Sequence, residues 1–381
     1  MKNNKIQIAQ PTLGDEEKNA LSAVIDSGWL TQGPRVAEFE EAFALKHSVD
    51  HAVAVTSCTT GLHLSLVALG IGPGDEVIVP SFTWIASANA VLYCGAIPIL
   101  CDIDPVTFNL DIDDLSNRVT AKTKAVIAVH LFGLCADIDR LREKLPEKIY
   151  IIEDAACAAG AIHNGRPAGS IGDLAVFSFH PRKTITTGEG GMITTSNSDL
   201  AGRLRILRNH GASVSEEQRH HGPRPHLLPD FNVLGFNYRM TDLQGALGLV
   251  QLQRLDKLID ERAHWADFYR KSFSTLSWLK CPSEPKSGRH AWQSFVTMID
   301  GSPFDAIKYM DELEKRGIST RPGTHAVHMQ AYYAEHFELD DEDFPAAKNA
   351  ANNSVALPLH NQMEKSDYER VVKAVFEIAQ G

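Results

Sequence analysis

The sequence predicts an α/β fold built on a mostly parallel sheet, and three observations carry that expectation. Short apolar runs recur along the first half of the chain, helical stretches separate them, and small or hydroxyl-bearing residues follow several of the runs. Strands that alternate with helices are joined by crossovers, so neighbours in the sheet run parallel. Ligands of such sheets gather in the crevice beyond the strand ends.

Taken in order, the strand-like runs fall at 52–55, 77–79, 97–101, 125–129, 149–152, 176–179 and 192–194. The first passes into Thr56-Ser57-Cys58-Thr59-Thr60-Gly61 and then a helical run from Leu62 to Leu69. Free N–H groups at a helix start, with hydroxyls beside them, suit a phosphate. Simple capping by Ser57, Thr59 or Thr60 explains the same residues. The run at 149–152 leads into Glu153-Asp154-Ala155-Ala156. Asp154 is there either a helix cap or a carboxylate for the ring nitrogen of a pyridoxal cofactor, which needs such a partner to stay protonated.

The run at 176–179 leads into His180-Pro181-Arg182-Lys183-Thr184-Ile185-Thr186-Thr187-Gly188-Glu189-Gly190-Gly191. The glycines allow a tight turn and close approach to a ligand. Lys183, held at the edge of a sheet, can form a Schiff base with the aldehyde of pyridoxal phosphate; taken alone, the stretch reads first as an ordinary exposed lysine on a turn. After a Pro- and His-rich loop at 222–229, a long helical pattern starts near Thr241 and runs through Leu243, Leu247, Val250, Leu252, Leu255 and Leu258. It bridges to a smaller domain with a strand near 294–299 and helices near 304–315, 345–354 and 365–379. The expected division is a large domain at 1–245 and a small C-terminal domain at 246–381.

Composition bounds the function. The chain has 381 residues, is 44% hydrophobic and carries a formal net charge of −11, which opposes general binding to nucleic acid or a membrane surface. Arg203, Arg205, Arg208, Arg219, Arg224 and Arg239, with His210, His220 and His221, form a basic stretch, of which Arg239 is the candidate to meet an anionic substrate. The six cysteines show neither CxxC pairing nor metal-ligand spacing, so no metal site or disulfide framework is expected. No apolar signal core is seen, and the longest apolar stretch, near 125–136, is interrupted by His130 and Gly133. The expectation is a soluble, reduced, cytoplasmic protein.

With these segments in order, the chain resembles the DegT/DnrJ/StrS-type sugar-nucleotide aminotransferases, a branch of the fold-type I pyridoxal phosphate enzymes. The resemblance runs through Gly28-Trp29-Leu30-Thr31-Gln32-Gly33-Pro34, Gly72 to Trp84, Glu153-Asp154-Ala155-Ala156, Ser178-Phe179-His180 with Lys183, Gly188-Glu189-Gly190-Gly191, Gly235-Phe236-Asn237-Tyr238-Arg239-Met240-Thr241 and Ala326-Val327-His328-Met329-Gln330. It implies a fold-type I aminotransferase: a large domain with a mostly parallel mixed sheet between helices, plus a smaller C-terminal α+β domain.

The same resemblance implies roles. Lys183 matches the Schiff-base lysine that also moves the proton, and Asp154 the partner of the pyridine nitrogen. Trp84 matches the aromatic stacked on the cofactor ring. Thr59, Thr60 and Ser178 match the phosphate cup, and Asn237 a residue that reaches the phosphate from a neighbouring subunit, which implies a homodimer with shared sites. His328 matches a substrate-facing histidine. Cys157 departs from the pattern, standing where relatives carry Gln or His to bond the cofactor's phenolic oxygen; a thiol is a weaker donor.

The implied reaction is ping-pong transamination from glutamate to a nucleotide-linked keto-deoxy-sugar, with C4 of a 4-keto-6-deoxy sugar favoured, as in perosamine synthases of surface-polysaccharide biosynthesis. Dehydratase relatives have a histidine in place of the lysine, and retention of Lys183 argues against that alternative. A catalytically silent binding or regulatory protein is opposed by intact Lys183, Asp154 and Ser178. A dehydrogenase is opposed because Gly72-Pro73-Gly74 follows a helix and lacks the full glycine fingerprint.

Overall fold

The computed structural model describes residues 5–214, 226, 228–285, 287–302 and 304–380. Its centre is a seven-stranded sheet in the order His51–Val55, Gly191–Thr195, Leu174–Ser178, Tyr150–Asp154, Thr123–Val129, Glu76–Pro80, Ile97–Cys101. Gly191–Thr195 pairs antiparallel with both its neighbours, and every other pairing is parallel. Six strands therefore point one way, and their C-terminal ends meet the start of the single reversed strand along one edge.

The strands form because both faces are covered. Along them, alternate residues enter different cores: Val53, Val55, Val77, Val79, Ile127, Ile152 and Val176 pack with helix Cys58–Ala68 on one side. Ala52, Ala54, Ala175, Phe177 and Met192 face a second core with Phe39 and Phe43. Ile78, Val126, Ala128 and Ile151 face a third. A strand buried on both faces reads as an unbroken apolar run, which is the pattern the sequence shows.

The long helical pattern after Thr241 is two helices, Asp242–Gln253 and Leu255–Phe273, meeting at Arg254. The first packs on helices Asp15–Ser27 and Pro34–Lys46. Gly245 and Gly248 allow this approach, since a Cβ at Gly245 would lie 2.8 Å from Val36 N and one at Gly248 2.5 Å from the Phe39 ring. Asp242 in return caps the helix Pro34–Lys46, its carboxylate accepting from Gly33 N at 2.8 Å and Val36 N at 3.1 Å.

The second helix serves two cores, with Leu255, Leu258 and Ile259 in one and Ala266, Tyr269 and Phe273 in another. That other core is closed by the antiparallel strands Leu279–Lys280, Phe295–Ile299 and Ser354–Leu357 and the helices Ala306–Lys315 and Lys365–Gln380. We propose a division into two units along Leu255–Phe273. Among the described residues no helix is long and apolar enough to cross a membrane. Residues 215–225 and 227, which include Arg219, His220, His221 and Arg224 and most of the loop expected at 222–229, lie outside the described residues.

Candidate active site

A cavity of about 280 Å³ opens at the edge where the parallel strands end, lined by Thr59, Trp84, Ser87, Asp154, Cys157, Ser178, His180, Arg182, Lys183, Gln293 and Arg321 among others. Six residues expected from the sequence meet here: Lys183, Asp154, Trp84, Cys157, Ser178 and Thr59. Thr60, Asn237, Arg239 and His328 do not line it.

Lys183 sits on a loop that fixes itself. Thr187 N and Thr186 Oγ1 both bond the Phe179 carbonyl, at 3.0 and 2.8 Å, and Phe179 N bonds the Gly190 carbonyl at 2.9 Å. Such internal bonding holds the lysine at the strand ends without help from regular structure. Its Nζ donates to Cys157 Sγ at 3.2 Å, so the thiol at the departing position faces the lysine.

Asp154 ends its strand and is buried. Ser87 Oγ donates to Oδ2 at 2.7 Å and Ala156 N to Oδ1 at 3.2 Å, which orients the carboxylate toward the cavity. The Cys58 thiol lies 3.9 Å from Oδ1; burial, followed by the Asp154 charge, pushes its pKa well up, so it stays a thiol. Directly beneath, the fully buried Glu153 accepts from Gly169 N, Ile171 N, Gly172 N and His130 Nε2. Burial alone would raise its pKa, yet the His130 and backbone donors bring it below the ordinary value. His130 Nδ1 accepts from Ala136 N at 3.0 Å, which leaves the ring proton on Nε2.

The helix Cys58–Ala68 aims its N-terminus at the cavity, and Thr59 lines it. First-turn N–H groups lack intrahelical acceptors and attract an anion. Gly191 makes this placement possible, because a Cβ there would stand 2.6 Å from the Ser57 carbonyl and 2.8 Å from Cys58 N. Ser178 completes the polar end.

Trp84 remains 52% exposed at the cavity wall and meets His325 edge to face at 5.5 Å, leaving a large aromatic face for a flat ligand. His180 also lines the cavity; burial lowers its pKa, and its Nδ1 accepts from Arg182 N at 3.2 Å.

The remaining expectations take other places. The Thr60 hydroxyl is occupied in a capping box, accepting from Ser57 N at 3.0 Å while Ser57 Oγ accepts from Thr60 N at 3.1 Å, so capping rather than cavity lining is its place here. His328 is buried beneath the Phe344 ring, 4.7 Å between centroids, with neither ring nitrogen bonded among the described residues. Burial lowers its pKa, and it does not line this cavity.

Asn237 bridges Asn209 through the backbone, and Arg239 Nη1 donates to Asn209 Oδ1 at 2.8 Å. Arg208, from the same basic stretch, is buried in an ion pair with Glu40. Sequence reasoning missed Ser87, Gln293, Arg321 and any role for Arg182. Arg182 stands directly before Lys183, and that adjacency was the one available signal.

These residues fit pyridoxal phosphate. A lysine amine, an oriented buried carboxylate, an aromatic face and a hydroxyl-rich helix N-terminus face one cavity. The fold and site together define a pyridoxal phosphate-dependent aminotransferase of fold-type I.

Residues 11–376 match the DegT/DnrJ/EryC1/StrS aminotransferase family, and the chain belongs to that family. It is 40% identical over 378 residues to GDP-perosamine synthase of Caulobacter vibrioides, covering 98% of each chain. It is 37% identical to the spore coat polysaccharide biosynthesis protein SpsC of Bacillus subtilis, over 100% of this chain and 98% of that one. The PLP-form structure of the sugar aminotransferase Spr1654 from Streptococcus pneumoniae superposes with a TM-score of 0.91 at 29% identity, covering 99% of both chains.

Proposed function

We propose that this enzyme is a sugar aminotransferase that takes nitrogen from glutamate and delivers it to a nucleotide-linked keto-deoxy-sugar, with C4 of a 4-keto-6-deoxy sugar as the favoured acceptor. The observation that carries this reading is the meeting of Lys183 and the Ser87-oriented Asp154 in one cavity at the strand ends. The similarity to a GDP-perosamine synthase supports the choice of acceptor.

When bound, pyridoxal phosphate supplies the electron sink for breaking a Cα–H bond. Asp154, held by Ser87, would keep a proton at the ring nitrogen. Trp84 would cover one face of the ring, while Thr59, the first-turn N–H groups and Ser178 would hold the phosphate. Lys183, as a free amine, would take the proton from the amino-bearing carbon of the donor and return it.

We further propose a homodimer with shared sites, working in the cytoplasm, in surface-polysaccharide or glycoconjugate sugar biosynthesis. Asn237 lies outside its own chain's cavity, and the nearby Leu228, Phe231, Val233 and Leu234 are exposed, a patch that a second copy would cover. A partner's Asn237 would then approach the phosphate end. The test is a two-stage assay. Glutamate alone should convert the cofactor to its amino form, and a panel of nucleotide-linked keto-sugars should then discharge it. Discharge by none of the sugars, with a simple 2-oxo acid accepted instead, would overturn the acceptor assignment.

A further inference from the structure

Two guanidinium groups enter the cavity from distant parts of the chain, and neither meets a carboxylate among the described residues. Arg182 stands on the lysine loop. Arg321 is anchored at the edge of the small sheet, where its carbonyl accepts from Ala356 N at 2.8 Å. Gln293 ties the two regions together, its Nε2 donating to the Arg182 carbonyl at 3.0 Å. Both arginines also border a second, smaller hollow continuous with Gln293 and Ser294.

The cavity's own acids leave them unpaired. Asp154 is taken by Ser87 and Ala156 N, and Glu189 forms no ion pair with either arginine among the described residues. Arg321 is half-buried, and burial first and the Arg182 charge second lower its pKa. Two like charges gathered in a half-dry cavity oppose folding unless an anion is received there. Guanidinium groups take carboxylates through paired N–H donors.

Cys157 places Arg321 relative to the chemistry. Its thiol touches Lys183 Nζ at 3.2 Å, and Cys157, Lys183 and Arg321 line the same cavity. The amino-bearing carbon of a donor has to come beside Nζ, and its α-carboxylate lies one bond further on. Arg182 is exposed and lines the same cavity, within which a longer donor would extend beyond Arg321.

We propose that Arg321 and Arg182 form the carboxylate site for the amino donor, Arg321 holding the α-carboxylate beside Lys183 and Arg182 the distal carboxylate of a dicarboxylic amino acid. The assignment rests on the reading of glutamate as donor. It makes preference for glutamate over glutamine a property of Arg182.

The test uses the holoenzyme with no nucleotide present, following the cofactor's absorbance in the single half-reaction with glutamate or glutamine. Arg182→Met should raise the half-saturating glutamate concentration by about tenfold or more and leave that for glutamine within about twofold. Arg321→Met should raise both, with Arg321→Lys partly restoring them; misfolding would not discriminate between the two donors. In a parallel calorimetric titration, succinate should bind the wild type and bind both Met variants more weakly.

The assignment is overturned if both Met variants keep wild-type glutamate dependence and lose only saturation by a nucleotide-linked sugar in the second half-reaction. The guanidinium groups would then serve a phosphate. If the wild type does not react with glutamate, the donor reading fails by itself. The succinate titration then decides the carboxylate site, undiminished binding by the variants refuting it.

Discussion

Ser87 Oγ donates to Asp154 Oδ2 across 2.7 Å, linking the helix Ala86–Tyr93 to the end of the strand Tyr150–Asp154. Hydrogen bonds to a charged group are worth roughly 1.5–3 kcal/mol. Ser87→Ala should therefore weaken cofactor binding by about tenfold to a hundredfold, measured as the cofactor's dissociation constant, while the fold's melting temperature stays close to wild type. Unchanged affinity would show that Asp154 needs no such partner.

At Cys157 the expectation runs the other way. A glutamine or histidine side chain is a stronger hydrogen-bond partner than a thiol for an anionic oxygen on the cofactor ring. Cys157→Gln should tighten cofactor binding by about 0.5–1.5 kcal/mol, seen in the same dissociation constant. A loss of affinity would mean that the thiol's contact with Lys183 Nζ at 3.2 Å is the one that matters.

Gly191 tests how the phosphate end is built. The atoms a Cβ would strike are the backbone of Ser57 and Cys58, which cannot rotate away. Gly191→Ala should cost about 1–3 kcal/mol of stability by displacing the start of the helix Cys58–Ala68. Phosphate-dependent retention of the cofactor should fall with it. A crystal structure of the variant with the helix start unmoved would refute the argument.

How much of this was legible in the sequence follows from what local pattern encodes. The strand runs were readable because a strand covered on both faces must be apolar at every position, as Ile151 and Ile152 show by facing opposite cores. Their lateral order was not, since nothing local in Val53 or Ile193 says that they lie side by side and antiparallel. The break at Arg254 escaped because Leu252 and Leu255 keep one helical period across it.

In the site, Lys183 and Asp154 were readable from strand-then-loop position. Ser87 was not, because a serine among small helix residues looks like filler until the sheet brings Asp154 beside it. The burial of His328 was not legible either, because a histidine before a glutamine reads as a polar loop, whereas Phe344 folds over it.

His47 gives the pH dependence its sign. Burial lowers its pKa from 6.5 to about 4; its Nδ1 donates to the Phe43 carbonyl at 3.1 Å, and its Nε2 has no hydrogen-bond partner among the described residues. A histidine with a depressed folded-state pKa leaves the unfolded chain binding more protons in that range. Stability is then full above pH 6.5 and falls as pH drops toward about 4, by roughly 3 kcal/mol from this group. Urea midpoints measured from pH 7 to pH 4.5 should decline less steeply in His47→Phe than in the wild type. Parallel curves would assign the dependence to other groups.

The central claim is that Lys183 alone carries the cofactor covalently. Treating the holoenzyme with borohydride and mapping its peptides by mass spectrometry tests this directly. The account predicts a stable pyridoxyl phosphate adduct on the peptide containing Lys183 and none in Lys183→Ala. An adduct on a different lysine, or the same adduct pattern in both proteins, would contradict it.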